Sequence, residues 1–508
     1  MGINTALGIA AAEIRNINAQ ISLVSQNIAN AGTPDYAAES ITQTSLTAGG
    51  VGMGAVNGVV QRAVDQQAQS DLLAQNGDVA SLQTQQAALR TIDGVQGAVG
   101  GGTDIGSLLG ALGNAFSALA GSPDNQAQQQ RVVASATALA TQINTVANTV
   151  DAVRQSAQDA IVAGVAGLNT SLATLGSLSK QIVQARAIGQ STADLENQRA
   201  AAEDGLSKLV SARFFEQPNG DLLAVTASGL DLPLHGVTNP FGTAPASVSA
   251  ATFAPGGGLP AISLGGRDVT AQFTGGQIGG NIILRDTTLP TVQANLDEFA
   301  HTLSTRFAAQ GLVLFTDAGG AVPTASGVPA QAGYIGYAGT IQVNPAVLAN
   351  AALVRDGTNA VPGTPGGATA FTPNPSGGPA GFTGLISRIL QFALGSQMAT
   401  GVPQPAPNVS LLGPSGTLAA GFAPPSDLAG FAAAVTAAEA QTSASTTAQL
   451  DRSQAVQTTM QATFTTNTSV SIDAEMSRMV VLQNAYGANA HVMTAVQSMW
   501  SQLLQAVQ

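Results

Sequence analysis

The two ends of this chain constrain its fold more than anything between them. From Ile3 to Ile28, apolar residues recur at alternating steps of four and three: Ile3, Leu7, Ala10, Ile14, Ile17, Ile21, Val24 and Ile28. The same spacing at the far end gives Ile472, Met476, Met479, Gln483, Tyr486, Ala490, Met493, Gln497, Trp500, Leu504 and Val507, apolar or aromatic apart from the two glutamines. A 3.5-residue period sustained this far predicts helix packed on helix. The faces opposite the seam are unusual: no Asp, Glu, Lys or Arg lies between Asn16 and Pro34, or from Met479 to Gln508. A coiled coil in water normally carries charges at its flanking positions. Both ends therefore read as helices enveloped by neighbours on more than one side, ordering when copies of the chain pack together.

Composition narrows the class further. Only 9% of the 508 residues are charged, against roughly 25% in ordinary domains, so the polar surface must be Gln, Asn, Ser and Thr. The absence of cysteine excludes disulfide scaffolds, thiolate metal sites and Cys nucleophiles. With 17 basic against 29 acidic residues, and Lys180 and Lys208 the only lysines, no basic patch for nucleic acid is expected. No stretch of about 20 residues reads as apolar enough to span a bilayer, so no membrane insertion is expected. The first cation is Arg15, so no cleaved secretory signal is expected, and Ala6 does not fit the myristoylation pattern.

Chemistry-bearing constellations are not found. His235, His301 and His491 are far apart in sequence. His301, beside Asp297 and Glu298, is expected on the solvated face of a helix opening at Pro290. Asp473 and Glu475 open a helix, where the dipole favours them. No metal-protease, nucleophile-elbow or phosphate-loop pattern occurs. Catalytic, cofactor-binding and metal residues are accordingly read as none, with no cofactor and no enzymatic activity expected.

The first helix stops legibly at Ala29-Asn30-Ala31-Gly32-Thr33-Pro34. Here Ser25-Gln26-Asn27-Ile28-Ala29-Asn30, followed by Thr33-Pro34-Asp35-Tyr36, resembles the amino-terminal signature of the bacterial flagellar rod, hook and hook-associated axial proteins. Ser471 to Met476 and Leu482 to Ala490 are similar to the matching carboxy-terminal signature. Residues 37–62 resemble the short linker of that family. Helices follow at about 64–95 and 104–120, and a further one restarts with Ser122 as N-cap and Pro123 as first residue. Its stripe runs Val132, Ala136, Leu139, Ile143, Val146, Val150, Val153 and Ala157, and Gly164, Gly167 and Gly176 leave a bend or break open. A segment at 192–211 folds back, its Leu195-Glu196-Asn197-Gln198-Arg199 resembling the hook-associated branch of that family.

Beyond Phe214, short apolar runs such as Leu222–Val225, Ala261–Leu264 and Asn281–Leu284 lie between Gly/Pro clusters and predict strands. The glycines at 275–280, followed by Arg285-Asp286, are again similar to that branch and are read as turns. Residues 357–381 predict an exposed loop, and helix resumes near Ser426, interrupted around 466–469.

The expected fold class is α+β: a terminal helical assembly domain (1–62 and 455–508), an inner helical domain (63–213, 289–311 and 426–454) and an inserted β-rich domain (214–288 and 312–425). The resemblance implies a structural subunit at the junction between hook and filament. Its assembly interface would be Ile3, Leu7, Ile14, Ile17, Ile21, Val24 and Ile28 with Ile472, Met476, Met479, Tyr486, Ala490, Met493, Trp500, Leu504 and Val507. Ser25, Asn27, Ile28, Ala29, Asn30, Thr33, Pro34 and Tyr36 carry the family signature. The implied partners are a homo-oligomeric ring, the flagellar hook protein, a neighbouring hook-associated protein and an export chaperone on the carboxy-terminal helix. The resemblance also implies type III export and an extracellular place on the flagellum. Two alternatives stand beside this: a hook or distal rod axial protein, or a flagellum-borne adhesion or glycan-binding module in the β-rich insertion.

Overall fold

Side-chain caps fix where the inner helices begin. In the computed structural model, which describes residues 3–33, 36–48, 51–98 and 100–506, the Asp65 carboxylate accepts from the amides of Gln67 and Ala68 and opens α2 (Gln66–Gln96), the first helix after the terminal α1 (Ile3–Asn30). Asp104 accepts from the Ser107 amide and opens α3 (Ile105–Gly121). Asn125 accepts from Ala127 and Gln128 and opens α4 (Gln126–Ala187). The cap of α4 is thus Asn125 and not the expected Ser122, because Ser122 accepts the Asn125 amide at 3.1 Å and closes a turn first.

α4 is one unbroken helix of 62 residues, about 93 Å at 1.5 Å per residue. Its glycines serve close approach instead of breaking it. A Cβ at Gly176 would sit 2.0 Å from the Leu234 carbonyl oxygen, and one at Gly164 would sit 2.8 Å from Ile278 Cγ1. Helix α5 (Ala193–Leu209) folds back along α4 as expected.

Two cores share α4. Its first half, Val132 to Ala157, packs with α3 and with Leu289, Leu296, Phe299, Leu303 and Phe307. Its second half, Ile161 to Leu175, packs with Leu206 of α5 and with the antiparallel sheet β3 (Ala212–Glu216), β4 (Leu222–Thr226) and β5 (Asp231–Leu232). One window of α4 has mean hydropathy 1.4, apolar enough by composition to cross a bilayer and contrary to the expectation. Those apolar side chains fill the two protein cores, and buried Arg154 and Gln158 sit on the same helix. The Arg154 guanidinium donates to the carbonyls of Arg285 (2.7 Å), Ser249 (3.0 Å) and Thr252 (2.7 Å).

Asn281–Leu284, expected as a strand, belongs instead to α6 (Gly276–Ile283) and the wider π-type turn that joins it to α7 (Leu289–Ala309). The glycines read as turns are the first turns of this helix, where small size lets α2 approach. Along α7, His301 is not on a solvated face. Its ring stacks on Tyr334 with centroids 3.9 Å apart, and Asp297 and Glu298 are buried. Asp297 accepts from the amides of Gly336 (2.8 Å) and Ala338 (2.9 Å), and Glu298 from Tyr334 Oη (2.6 Å) and the Asn408 amide (2.8 Å). These polar residues stand among apolar ones because they bind the loops that cover the helix.

Where a β-rich insertion is expected, the described strands after β5 are two or three residues long. Short helices α8 (Pro345–Ala349), α9 (Leu353–Asp356) and α10 (Gly384–Arg388) interrupt the loops. Apolar residues of this stretch, among them Phe315, Ile341, Val354 and Ile389, enter the same core as α3, α4 and α7. Runs of two to four apolar residues bounded by Gly and Pro are too short for extended ladders and bury themselves singly. Asp427 caps α11 (Leu428–Thr468), and after Ser469–Ser471 the chain enters α12 (Ile472–Ala506). The protein is α+β, with helices dominating.

Candidate assembly surface

Helix α1 has two covered faces. On one, Ile17, Ile21, Val24 and Ile28 pack against Met479, Leu482 and Ala485 of α12 in a third core, with Ile17 2% and Val24 1% exposed. The helices run antiparallel, since Asn27 near the end of α1 reaches Glu475 near the start of α12. The other face meets a hairpin of β1 (Glu39–Ala48) and β2 (Val51–Arg62), standing where a linker is expected. Asn16 Nδ2 donates to the Ala55 carbonyl at 2.6 Å, and Asn57 Nδ2 to the Asn16 carbonyl at 3.1 Å. The uncharged strip of α1 is therefore covered by its own chain, against the expectation that other copies cover it. Its remaining face carries exposed Gly8, Arg15, Asn18, Ser22 and Ser25.

Helix α12 is different. Leu482 and Val496 are buried, and Met479, Ala490 and Met493 are half-buried. Ile472, Met476, Tyr486, Trp500 and Leu504 are 40–56% exposed, as are Val480, Val481, Val492, Met499 and Leu503 at 46–64%. The face turned to α1 thus runs 475, 479, 482, 485, 489, 493, 496, one register over from the seam read in sequence. Leu482 and Val496 were missed, although 475, 482, 489 and 496 form a heptad series of their own. Leu7 and Ile14 are half-buried. Ile3 opens α1; its side chain, with Pro34 and Val507, lies outside the described residues.

Two of the signature residues, Asn27 and Tyr36, meet at the foot of this unit. Asn27 is fully buried. Its Oδ1 accepts from Tyr36 Oη at 2.9 Å and the Glu39 amide at 3.1 Å, and its Nδ2 donates to the Glu39 carbonyl at 2.9 Å. Only a side-chain amide supplies donor and acceptor at this spacing. Asn197 of α5 donates to Glu39 Oε1 at 2.9 Å and accepts the Ala37 amide at 3.2 Å. Gln26 donates to Asp194 at 2.5 Å, and the Ala38 amide to the Thr468 carbonyl at 2.8 Å. Residues next to the two recognised stretches, Ala37 and Glu39 after the first and Asp194 before the second, thus link α1 and the hairpin to α5. Ser25, Ala29 and Thr33 are exposed and Asn30 is half-buried. Burial, with Asp194 nearby, pushes the Glu39 carboxyl up to about 7, and burial beside Glu39 pushes the Tyr36 hydroxyl up to about 12.

Beside this node a cavity of about 460 Å³ separates the hairpin root from α2, α5 and β3. Arg62, Arg186 and Arg199 face Glu196, Glu203 and Glu216 across it. Arg186 bonds Glu196 at 2.8 Å and Glu216 at 2.6 Å, and Arg199 pairs with Glu216 and with Glu203. Three cations balance three carboxylates, which suits a joint between segments. Among the described residues, no three His, Asp or Glu gather as a metal would require.

Two stretches of the chain match known protein families. Residues 89–321 match the family model of the flagellar hook-associated protein FlgK helical domain, and residues 461–506 that of the flagellar basal body rod FlgEFG protein C-terminal region. Flagellar hook-associated protein 1 of Bacillus subtilis (strain 168) is 24% identical over 241 residues, 45% of this chain and 46% of that protein. The match thus spans about half the length of that curated relative. The solved flagellar hook junction protein FlgK from Burkholderia pseudomallei is similar at 22% identity over 50% of this chain and 45% of that one, with a TM-score of 0.40. Residues 89–321 are thus similar to the helical domain of flagellar hook-associated proteins, and residues 461–506 to the C-terminal region of flagellar rod proteins.

Proposed function

We propose that this chain is a non-enzymatic structural subunit of the bacterial flagellum, placed at the junction between hook and filament. It assembles as a ring of identical copies through the terminal unit of residues 1–62 and 455–508, while the inner helices hold that unit in position. The observation that carries this reading is the uncovered flank of α12, where Ile472, Met476, Val480, Trp500 and Leu504 are exposed on a helix without charge after Arg478. Large apolar side chains left exposed on more than one side of a helix mark a protein contact, and the family matches make other flagellar subunits their natural cover. The hook protein on one side and the next hook-associated protein on the other are the neighbours this reading assigns. Before assembly an export chaperone covers α12, and the chain leaves the cell through the flagellar type III channel.

Electron microscopy of cells lacking the gene tests the proposal. Hooks without filaments, with monomeric flagellin shed into the medium and filaments restored by the intact gene, are expected. Normal filaments without the gene would refute it.

A further inference from the structure

A ring of identical subunits is built from heterologous contacts, in which one patch of each copy meets a different patch of the next. The uncovered flank of α12 supplies one patch; its complement must lie elsewhere on the same unit. The outer face of α1 does not match, since it is polar and carries Arg15. The hairpin does. Between Glu39 and Arg62 there is no charged residue and no proline. Leu46, Met53, Val56 and Val59 are 41–52% exposed, and among the described residues the ribbon has two strands, with neither outer edge paired to a third. A two-stranded ribbon of 10 and 12 residues is marginal in water unless a face is covered. Natural edges left in water are protected by charge, proline or bulges that twist them away; this one has bulges but neither charge nor proline. α1 covers one face, through Asn16 and Gln20.

We infer that the uncovered face of the β1–β2 hairpin is the complementary patch, and that in the assembled ring it lies against the exposed flank of α12 of the adjacent copy. This rests on the ring assembly proposed above. The hairpin carries no charge between Glu39 and Arg62, and α12 no Asp, Glu, Lys or Arg after Arg478, so the contact depends little on ionic strength, as burial of apolar area requires.

The chain has no cysteine, so engineered thiols report without background. Val56→Cys and Val480→Cys, both at exposed positions, are produced separately and together in cells without the natural gene, with Val492→Cys as a second position on α12. Isolated flagella are treated with a short bis-maleimide. Cross-linked dimers are expected only when Val56→Cys is co-produced with an α12 variant, since each chain then carries one thiol and the link must join two copies. Dimers from Val56→Cys alone, from an α12 variant alone, or from no combination would overturn the inference. Electron cryo-microscopy of flagella bearing the unsubstituted chain separates the two levels. If it shows a ring of this chain's copies at the hook end while the co-produced thiols do not link, the hairpin assignment fails and ring assembly stands; if it shows no such ring, ring assembly fails as well.

Discussion

The Tyr36 hydroxyl donates to Asn27 Oδ1 at 2.9 Å, joining the end of α1 to the segment that enters the hairpin. The same Asn27 amide binds both backbone groups of Glu39, so one buried side chain holds α1 and β1 together and reaches Glu475 of α12.

Asn27→Asp removes the donor and sets a carboxylate against the Glu39 carbonyl and Glu475. A buried group left unpaired costs about 1–3 kcal/mol, and more when charged. The variant is expected to lose amide-exchange protection along α1 and β1 by at least tenfold, with α4 unchanged. Tyr36→Phe, losing one bond, should show the same pattern at about 1 kcal/mol.

Gly176→Ala is expected to destabilise the chain by about 1–3 kcal/mol, as overpacking does, because the new Cβ meets the Leu234 carbonyl oxygen. Helix propensity alone predicts a gain of up to about 1 kcal/mol. Gly205→Ala in α5, where nothing lies within 4 Å, should show that gain. Urea unfolding of both variants distinguishes the two effects.

Glu439 on α11 is buried beside Asp93 of α2, which itself accepts from Ser443 Oγ at 2.6 Å. Burial, then Asp93, pushes the Glu439 carboxyl from its ordinary 4.5 up to about 8. The folded state therefore holds a proton that the unfolded chain releases, so stability falls as pH rises from about 4.5 to 8. Glu439→Gln should flatten this loss, by at most about 5 kcal/mol at about 1.4 kcal/mol per pKa unit, read from urea unfolding at pH 5, 7 and 9. An unchanged pH slope would contradict the assignment.

Ile21→Asp burdens the seam with α12, and neither it nor Ile14→Asp, at a half-buried position of α1, touches an inner core. Inner-domain unfolding should move by less than about 0.5 kcal/mol, as for substitutions outside a core, while filament growth stops. Unfolding monitored by near-ultraviolet signals and microscopy of complemented cells check the two halves separately.

What was legible in sequence was helix existence, because apolar spacing and polar caps are local. α2, α3, α5 and the break before α12 stand close to their expected bounds, whereas the one cap read in sequence, Ser122, gives way to Asn125. The hairpin was not legible. Its strands are Gly-, Thr- and Ser-rich with bulges after Ile41 and Leu46, which erase the alternation that marks a strand. The register of α12 was misread for the opposite reason: it is apolar on more than one face, so two heptad series compete and only contact with α1 chooses Leu482 over Gln483. Among the signature residues, Asn27 and Tyr36 were named without the reason for them, since the bonds linking them to Glu39, Asn197 and Glu475 join segments up to 448 residues apart. His301 was misplaced because a charged cluster on a helix reads as solvated until the loops that need Asp297 and Glu298 are seen.

The most direct test places charge on the open flank of α12 without touching the face it turns to α1. Val480→Asp with Val492→Asp, at positions 54% and 47% exposed, should leave thermal unfolding of the purified chain unchanged. In cells lacking the natural gene, the variant should be exported into the medium and leave hooks bare of filaments. Filaments of normal length on those cells would show that copies do not join along this flank.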